Sequence, residues 1–372
     1  MTSSGDTFPL ILDPRRFEQS VGEVGGKLYL LRNSSGMLVA ITNYGAKIEQ
    51  IIVPDRDGKL DDVVLGYDSL DGAINGAFAI GAFVGRYAGR IENARFSLSG
   101  KSYTLSANNG PHCLHGGVRG TPYRMFDATQ TSDCRVQMAY EFADGEEGFP
   151  GLLRLLVTYT VTEAHELEVA YEAEALDQPT VASFTTHAFF NLNGESSGSA
   201  LNREVMICAN HYFVMTPELI ATGELLPVEG TAFDLRAPVL LSTRVRGDVA
   251  LDGLACPNGA LLDGYDDCYL VKRLPGAGLQ LCARLSASHT GRSMEVWSTE
   301  PAMQFYSGVR PQEAMPGGPG KSGRHYLQQM GFCFEPQNYP NAPNRPNFPS
   351  SVYAPGQVRR GVTVYRFSAG AG

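Results

Sequence analysis

Alternation of apolar and polar residues is the dominant pattern along this chain. In residues 153–161 the odd positions are Leu, Leu, Val, Tyr and Val, and in residues 167–175 they are Leu, Val, Tyr, Ala and Ala. A period of two residues is typical of half-buried strands. Residues 162–166 between them are polar and few enough for a tight turn, so we expect an antiparallel hairpin here.

The same kind of β-rich sequence recurs along the chain. It is found in residues 26–33, 37–42, 95–105 and 362–367, and Ser99-Gly100 predicts a turn within the third of these segments. Few long windows keep a helical apolar period, so we expect little helix beyond short turns. We therefore predict an all-β, antiparallel fold that forms a single domain over residues 1–372. The Gly/Pro-rich residues 311–323 predict a long exposed loop.

The composition narrows the classes of function. The chain has 372 residues, with 30 Lys and Arg, 39 Asp and Glu, and a formal net charge of −9. The basic residues are scattered, with no run that could follow a phosphate backbone, so we expect no nucleic acid partner. The amino terminus lacks the pattern of a secretory signal, and no stretch approaches the ~20 apolar residues of a membrane span. We expect a cytoplasmic protein with no membrane partner.

The cysteines fit a reducing compartment. They are odd in number and widely spaced, and no C-x-x-C pair suggests a zinc or dithiol site. We expect them to be free thiols. The seven cysteines are Cys113, Cys134, Cys208, Cys256, Cys268, Cys282 and Cys333.

Two of the seven histidines lie in segments that look specialised. His115 belongs to NNGPHCLHGG, whose glycines and asparagines allow the backbone to approach a ligand closely. His187 belongs to TTHAFFNLNG. Histidine is the side chain best suited to acid–base chemistry near neutral pH, with a carboxylate as its natural partner. A purely structural role for either histidine stays open at this point.

A carboxylate stands in the segment FEPQNYPNAPNRPNFPS, residues 334–350. Its five prolines predict a loop that is too rigid for a helix or a central strand. Such a loop could hold Glu335 in one place, as a general base requires. The alternative is an ordinary surface carboxylate.

Seven segments that follow one another along the chain add a further signal. They are GRYAGRI (85–91), NNGPHCLHGG (108–117), DGEEGFPG (144–151), THAFFNL (186–192), ATGELLPVEGTAFDLR (221–236), STEPAMQFYSG (298–308) and FEPQNYPNAPNRPNFPS (334–350). Together they are similar to the motifs of the aldose 1-epimerase, or galactose mutarotase, family. The chain therefore resembles this family over nearly its whole length.

The resemblance implies a fold, an activity and a mechanism. The fold would be a large antiparallel β-sandwich with a sugar cleft on one sheet face. The activity would be the interconversion of the α and β anomers of a free aldose such as galactose or glucose. By this resemblance His187 protonates the ring oxygen, Glu335 takes the proton of the C1 hydroxyl, and His115 sits beside the ring oxygen.

The resemblance also implies how the sugar is bound. Arg90, Asn109 and Asp266 would hydrogen-bond to its hydroxyls, and Gln304 would either do the same or support Glu335. No metal or organic cofactor is implied, the expected partner is the sugar alone, and the protein would be a monomer or a homodimer.

The scheme places a condition on two pKa values. At neutral pH the histidine acid must be protonated while the glutamate base is ionised. We therefore expect the pKa values of His187 and Glu335 to be near their unperturbed values or to be tuned by each other.

Four places depart from the family pattern. The family often has Asn at Gly89, an aromatic residue at Thr121-Pro122, His or Asn at Asp267, and Asn at Thr186. We expect Gly89 to remove a hydroxyl contact, Asp267 to add charge near the site, and Thr186 to alter the orientation of the imidazole. The identity of the preferred sugar therefore stays open.

Aromatic residues could stack on a sugar ring, but strand-like sequence favours core packing for several of them. Core packing is predicted for Phe189, Phe190 and Trp297, while Phe126, Phe149 and Tyr306 are left open as sugar contacts.

Other classes of function compete with the epimerase. A glycoside hydrolase would need two carboxylates, for which Asp266 and Glu335 could be proposed. A non-catalytic sugar-binding protein would keep the cleft without the acid and base. An enzyme for phosphorylated hexoses would need a basic cluster, which the acidic composition does not favour.

Overall fold

The protein is described by a computed structural model over residues 11–22, 24–76, 78–245, 263–274, 276, 278–308 and 320–370. Most of the regular structure in these ranges is extended. In chain order the strands are β1 Ser20–Val21, β2 Val24–Gly25, β3 Leu28–Arg32, β4 Leu38–Thr42, β5 Lys47–Pro54, β6 Leu60–Asp62, β7 Phe83–Val84, β8 Arg90–Ile91, β9 Arg95–Leu98, β10 Lys101–Thr104, β11 Cys113–Leu114, β12 Asp127–Ser132, β13 Arg135–Phe142, β14 Leu153–Val161, β15 Glu166–Ala175, β16 Thr180–Val181, β17 Thr185–Thr186, β18 Phe189–Phe190, β19 Glu204–Ile207, β20 Ala209–Met215, β21 Ala221–Pro227, β22 Val239–Leu240, β23 Asp266–Val271, β24 Gln280–Ser286, β25 Arg292–Ser298, β26 Ala302–Tyr306, β27 Phe332–Gln337, β28 Val352–Tyr353 and β29 Val358–Ala369.

Helical structure in the described ranges is short. The one α-helix there is α1, Leu70–Asn75, which is capped by the Ser69 hydroxyl oxygen accepting from the Gly72 N–H. Single turns of 3-10 helix are found at Pro14–Phe17, Glu92–Ala94, Thr121–Tyr123, Glu146–Gly148, Leu241–Thr243, Lys321–Gly323 and Ala342–Asn344. No helix among the described residues is both long enough and apolar enough to cross a membrane. The predicted scarcity of helix is confirmed.

The largest sheet is antiparallel and contains nine strands in the order β12-β13-β14-β15-β29-β25-β24-β19-β22. The predicted hairpin lies within it as β14 and β15, with Leu153 opposite Ala175 and Val161 opposite Leu167. The odd positions of β14 are all buried, as the alternation of apolar residues predicts. The other segments predicted as strands are also extended, as β3, β4, the β9–β10 pair and β29.

A six-stranded sheet packs against this one, with the order β18-β27-β26-β23-β20-β21, and β3 to β6 form a four-stranded sheet. One hydrophobic core includes Phe305 and Phe334 of the six-stranded sheet together with Tyr159 and Tyr365 of the nine-stranded sheet. The Tyr365 hydroxyl donates to the Phe334 carbonyl across this core at 3.3 Å. The predicted all-β sandwich is therefore confirmed.

Two sequence-based expectations about burial can be checked directly. Phe189 and Phe190 are fully buried, as predicted. Trp297 is half-buried on the outer face of β25, so the prediction of core packing is wrong there. Its indole N–H donates to Glu295 at 3.0 Å, and the Arg366 guanidinium lies over its ring. Strand alternation explains the outcome, because Trp297 lies on the same outward face of β25 as Ser293 and Glu295, whereas Met294 and Val296 face the core.

Residues 311–323 were predicted to form an exposed loop. Residues 311–319 of this segment lie outside the described residues. Cys256, predicted to be a free thiol, also lies outside them. The part that is described contradicts the prediction at Lys321, which is buried. Its ammonium group donates to the Glu49 carbonyl and the Val64 carbonyl, both at 2.7 Å, and to Asp62 Oδ2 at 2.5 Å. A lysine is tolerated in the interior here because all three of its N–H groups have acceptors.

Replacement of Lys321 by Met tests this buried anchor. The change leaves the Asp62 carboxylate and two backbone carbonyls without their donor, so the free energy of unfolding should fall by about 3–5 kcal/mol. Urea unfolding measures the loss, and Lys59→Met at an exposed position is the control, with an expected change under ~0.5 kcal/mol. Equal free energies of unfolding for the two variants would contradict the claim that the buried Lys321 ammonium group stabilises the fold.

Candidate active site

A cavity of about 310 Å³ opens on one face of the six-stranded sheet. This volume is within the range of small-molecule sites. The cavity is lined by every residue that was predicted from the sequence to act in catalysis or binding: Arg90, Asn109, His115, His187, Asp266, Gln304 and Glu335. Their individual roles stay predictions at this point.

The floor of the cavity is formed by three neighbouring strands. Gln304 on β26 is directly opposite Glu335 on β27, and Asp266 lies on β23, the strand on the other side of β26. The Gln304 amide donates to Asp266 Oδ1 at 2.8 Å. Because side chains alternate along a strand, one face of these strands carries the polar groups while the other carries Phe305 and Phe334 into the core.

Glu335 does not lie in a proline-rich loop, as was predicted, but on β27 itself. β18 pairs only with Phe332 and Cys333 of this strand, so Pro336 follows the point where pairing on that side ends. Proline is tolerated there because no partner strand needs its missing N–H. The backbone ladder, rather than a stiff loop, holds the carboxyl in place.

His187 follows β17 and is fixed through its backbone. Its N–H donates to the Ala82 carbonyl at 2.8 Å, and its carbonyl accepts from the Gly81 N–H at 2.9 Å. The imidazole Nε2 lies 3.6 Å from Glu335 Oε1, and Nδ1 lies 3.4 Å from the Cys333 sulfur. The imidazole is therefore aimed at the carboxyl.

His115 is held by a loop that needs its glycines. The backbone at His115 is left-handed, with φ of 53°, and a Cβ on Gly116 would lie 2.2 Å from the Gly85 carbonyl oxygen. Asn108 closes the loop, because its side chain accepts from the Leu114 N–H at 2.7 Å and donates to two loop carbonyls. Only a glycine at 116 permits this close approach.

Two further contacts orient the residues of this wall. The Gly89 N–H donates to His115 Nδ1 at 3.3 Å, and the His115 ring stands edge-on to that of His187 with 5.3 Å between centroids. Arg90 Nε donates to Asn109 Oδ1 at 2.8 Å, so these two predicted sugar contacts form a pair.

This arrangement can be compared with known proteins. A family model described as aldose 1-epimerase matches residues 27–366. The chain belongs to the aldose 1-epimerase family. Galactose mutarotase from Sus scrofa is 39% identical over 339 residues, which cover 90% of this chain and 92% of that protein. Aldose 1-epimerase from Escherichia coli K12 is 32% identical, with 92% and 95% of the two chains covered.

Solved structures of epimerase relatives share the fold. A GalM/aldose epimerase homologue from C. elegans has a TM-score of 0.83 at 27% identity, covering 93% of this chain and all of that one. Galactose 1-epimerase from Lactobacillus acidophilus has a TM-score of 0.78 at 23% identity, covering 95% and 97%. These matches confirm the family, the sandwich fold and the assignment to the carbohydrate epimerases that the motifs predicted.

The pKa values in the epimerase cavity are strongly shifted by burial. Burial raises the pKa of Glu335 well above its usual value, the Asp266 carboxyl raises it further, and Arg90 opposes the shift. Burial lowers the pKa of His187 to about 4. Burial also lowers the pKa of His115 well below its usual value, with smaller contributions from His187 and Arg90. The expectation of unperturbed values is therefore wrong, because a dry cavity disfavours every charged form.

Burial therefore favours a neutral carboxyl on Glu335 beside a neutral imidazole on His187, a state in which the pair holds one proton to exchange. An imidazolium with a carboxylate contains the same number of protons. The pair thus has the proton count that acid–base chemistry needs, whichever partner carries the proton.

The departures from the family pattern are explained in part. Asp267 does not line the cavity. It neighbours Asp266 on β23, where alternation turns it to the other sheet face. Burial and the Asp266 carboxyl raise its pKa to about 7, which weakens the charge that was expected near the site. Thr121 is buried with its hydroxyl donating to the Phe83 carbonyl, and Pro122 lines the cavity. The Thr186 hydroxyl interacts with the Tyr365 hydroxyl, where it opposes the rise in pKa that burial causes.

Of the three aromatic residues that were left open as sugar contacts, only one lines the cavity. Phe126 and Phe149 are fully buried in hydrophobic clusters away from the cavity, whereas Tyr306 lines it. The sequence did not single out Phe78, Tyr123 or Gln337, which line the cavity as well. Gln337 is two residues from Glu335, and in a strand this spacing would have placed both side chains on the same face. Because residues 334–350 were predicted to be a loop, this spacing was not used.

A group of possible metal ligands is present among the described residues. One ligand atom each from His115, His187 and Glu335 lies within 4.8 Å of the others. A neutral imidazole has a single lone pair, and that of His115 already accepts from the Gly89 N–H. The group therefore fits hydrogen bonding and proton transfer better than metal ligation.

Substitution of Gly116 by Ala should disable the cavity while preserving the fold. The added methyl must move away from the Gly85 carbonyl, which displaces His115, and epimerase activity should fall by ~10²-fold. Gly110→Ala is the matched control, because this loop glycine also has positive φ but has no atom within 4 Å of its Cβ position. Polarimetry measures the rates, and circular dichroism checks folding. Equal rates for the two variants would contradict the role of the close approach.

Glu335→Gln tests the raised pKa through stability. Because the folded-state pKa of Glu335 exceeds the unfolded-state value, its contribution to stability is complete at low pH and is lost as pH rises towards the folded pKa. Gln cannot titrate, so the variant should gain stability relative to wild type as the pH rises from the unfolded-state pKa, about 4.3, to the raised folded-state pKa, by at most ~1.4 kcal/mol per pH unit. Urea unfolding at several pH values measures the difference. If the difference in free energy of unfolding between the variant and the wild type does not vary with pH, the pKa of Glu335 is not raised in the folded protein.

Proposed function

We propose that this protein interconverts the α and β anomers of a free aldose, such as galactose or glucose, by opening and reclosing the sugar ring. The observation that supports this most strongly is the approach of His187 Nε2 to Glu335 Oε1, 3.6 Å apart inside a cavity lined with hydrogen-bonding groups. Ring opening requires one proton to leave the C1 hydroxyl and one to reach the ring oxygen, and a pair that holds a single proton can do both.

His187 is the acid and Glu335 is the base in this proposal. Glu335 accepts the proton of the C1 hydroxyl while His187 donates a proton to the ring oxygen, and the bond from C1 to the ring oxygen breaks to give the open-chain aldehyde. Rotation about C1–C2 presents the other face of the carbonyl. The same steps in reverse close the ring as the opposite anomer and return the pair to its starting state.

Binding of the sugar supplies the charged form of the pair. Hydroxyl donors that contact Glu335 favour its carboxylate, and Arg90 acts in the same direction. The proton then resides on His187, next to the ring oxygen. His115 contributes as a neutral donor, because the Gly89 N–H occupies Nδ1 and leaves the proton on Nε2.

The remaining polar residues hold the other hydroxyls. Arg90 and Asn109 lie on one wall, while Asp266 and Gln304 lie on the floor, and each pair is already oriented by an internal hydrogen bond. Side chains that are already oriented by hydrogen bonds lose little conformational entropy on binding, which favours a single orientation of the sugar in the cavity. The group nearest to Glu335 is the His187 imidazole, which supplies the acid that ring opening needs and that a glycoside hydrolase with two carboxyls does not require.

The described cysteines bear on the cellular location. The six described cysteines are free, which supports a reducing, cytoplasmic environment. We expect a monomer or a homodimer, with the free sugar as the partner.

Polarimetry of freshly dissolved α-galactose, α-glucose and α-xylose tests the proposal. The wild-type protein should accelerate the change in rotation for at least one of them, and His187→Ala and Glu335→Gln should each lose about 10²–10⁴-fold. His211→Ala and Glu224→Gln are matched controls at exposed positions and should retain the wild-type rate. Unchanged acceleration in either site variant would refute the acid–base assignment. Release of reducing sugar from a nitrophenyl glycoside would favour a hydrolase instead.

A further inference from the structure

Gln337 provides an unused hydrogen-bond acceptor in the wall of the cavity. The side chain is only 1% exposed, yet it lines the cavity. Its Oε1 has no hydrogen-bond partner among the described residues. Because a buried amide oxygen without a partner is costly, such an atom in a ligand cavity indicates a donor that arrives with the ligand.

The position of the Gln337 amide is fixed by its surroundings. The side chain lies beside the buried Cys268 thiol on β23 and opposes the rise in the pKa of that thiol. The backbone is held by the β26–β27 ladder, in which Gln337 is opposite Ala302. The acceptor is therefore built into the sheet in the same way as Glu335, two residues earlier on the same strand.

Gly89 keeps the space in front of this amide open. A Cβ at position 89 would lie 3.5 Å from Gln337 Nε2, 3.9 Å from Oε1 and 4.0 Å from the Pro340 Cβ. A longer side chain at this position would thus enter the region that the Gln337 amide faces. The backbone at Gly89 has φ of 75°, a conformation that glycine or asparagine adopts with least strain.

The spacing along β27 separates this acceptor from the reacting hydroxyl. Residues two apart on one strand project to the same face about 7 Å from each other. If the C1 hydroxyl is at Glu335, then Gln337 meets a hydroxyl on another carbon of the ring. An interaction with a group that does not react is equally strong in the ground state and the transition state, so it acts on KM rather than kcat.

We propose that Gly89 and Gln337 form a specificity subsite, in which Gln337 Oε1 accepts a hydrogen bond from an aldose hydroxyl remote from C1 and Gly89 provides the room for it. The subsite rests on the proposed epimerase function. It assigns a sugar-selecting role to an amide next to the base and explains how a glycine in the wall contributes to substrate choice.

Deoxy sugars locate the hydroxyl. Mutarotation rates of the wild-type protein are measured on the best parent aldose and on its 2-, 3-, 4- and 6-deoxy forms, each with its uncatalysed rate subtracted. The deoxy sugar that lacks the Gln337 contact should show a kcat/KM lower by ~5- to 30-fold, mainly through a higher KM, alongside those that lose contacts with the other polar residues of the cavity. If no deoxy sugar shows a loss in KM, the subsite is overturned. If no parent aldose is accelerated, it is the proposed function that fails.

Gln337→Met then assigns that hydroxyl to its partner, because Met has a similar length and lacks the acceptor. The variant should lose ~5- to 30-fold on the parent sugar through KM, and should lose nothing further on the one deoxy sugar that lacks the hydroxyl. The other three deoxy sugars should show the full loss. An equal loss on all five sugars would show a merely structural role and overturn the proposal.

Gly89→Asn is a second variant that leaves Gln337 unchanged. Its side chain enters the space in front of the amide and can donate to Oε1 in place of the sugar hydroxyl. Any contact that Asn itself makes with the sugar would lower KM on all the sugars alike, so the same deoxy sugar should still be the one that escapes the relative rise in KM. Thermal unfolding confirms that each variant is folded before its rates are compared. A Gly89→Asn protein with wild-type KM on the parent and on all deoxy sugars would contradict the subsite.

Discussion

Burial of a carboxyl against an imidazole is the constraint on which the rest of this structure depends. Glu335 and His187 are each almost fully enclosed, and an enclosed ionisable group is costly unless it is neutral or partnered. The protein keeps both groups in a dry cavity, with their pKa values moved in opposite directions. The same dryness makes a single proton easy to exchange between them, because neither partner is strongly stabilised in its charged form.

The two sheets supply the rigidity that this burial needs. The side of the six-stranded sheet opposite the cavity is filled by aromatic residues such as Phe305 and Phe334, which pack against the nine-stranded sheet. Every polar residue on the floor is thus fixed by an apolar neighbour one position along the strand. His115 and His187 are held differently, by backbone hydrogen bonds and by glycines that let strands and loops approach closely.

Much of the fold and of the site could be predicted from the sequence, and the failures have physical causes. The alternation in residues 153–175 predicted a hairpin correctly, because local pattern determines which face of a strand is buried. Glu335 was assigned to a loop because its prolines are a local signal, whereas the end of β18 that makes Pro336 acceptable is a long-range feature. Lys321 failed for the same reason, because its acceptors on Glu49, Asp62 and Val64 lie far away in the chain. Trp297 failed because an aromatic residue in a strand was taken as core, whereas its position places it on the outer face of β25.

The state of the shared proton can be observed directly. Infrared difference spectra between the wild-type protein and Glu335→Gln, recorded at pH 7 without sugar, should contain the carbonyl band of a protonated carboxylic acid that disappears in the variant. Addition of the preferred aldose should replace this band with those of a carboxylate as the proton moves to His187. Carboxylate bands from Glu335 in the sugar-free protein would contradict the account, because the cavity would then stabilise the charge that its burial is inferred to exclude.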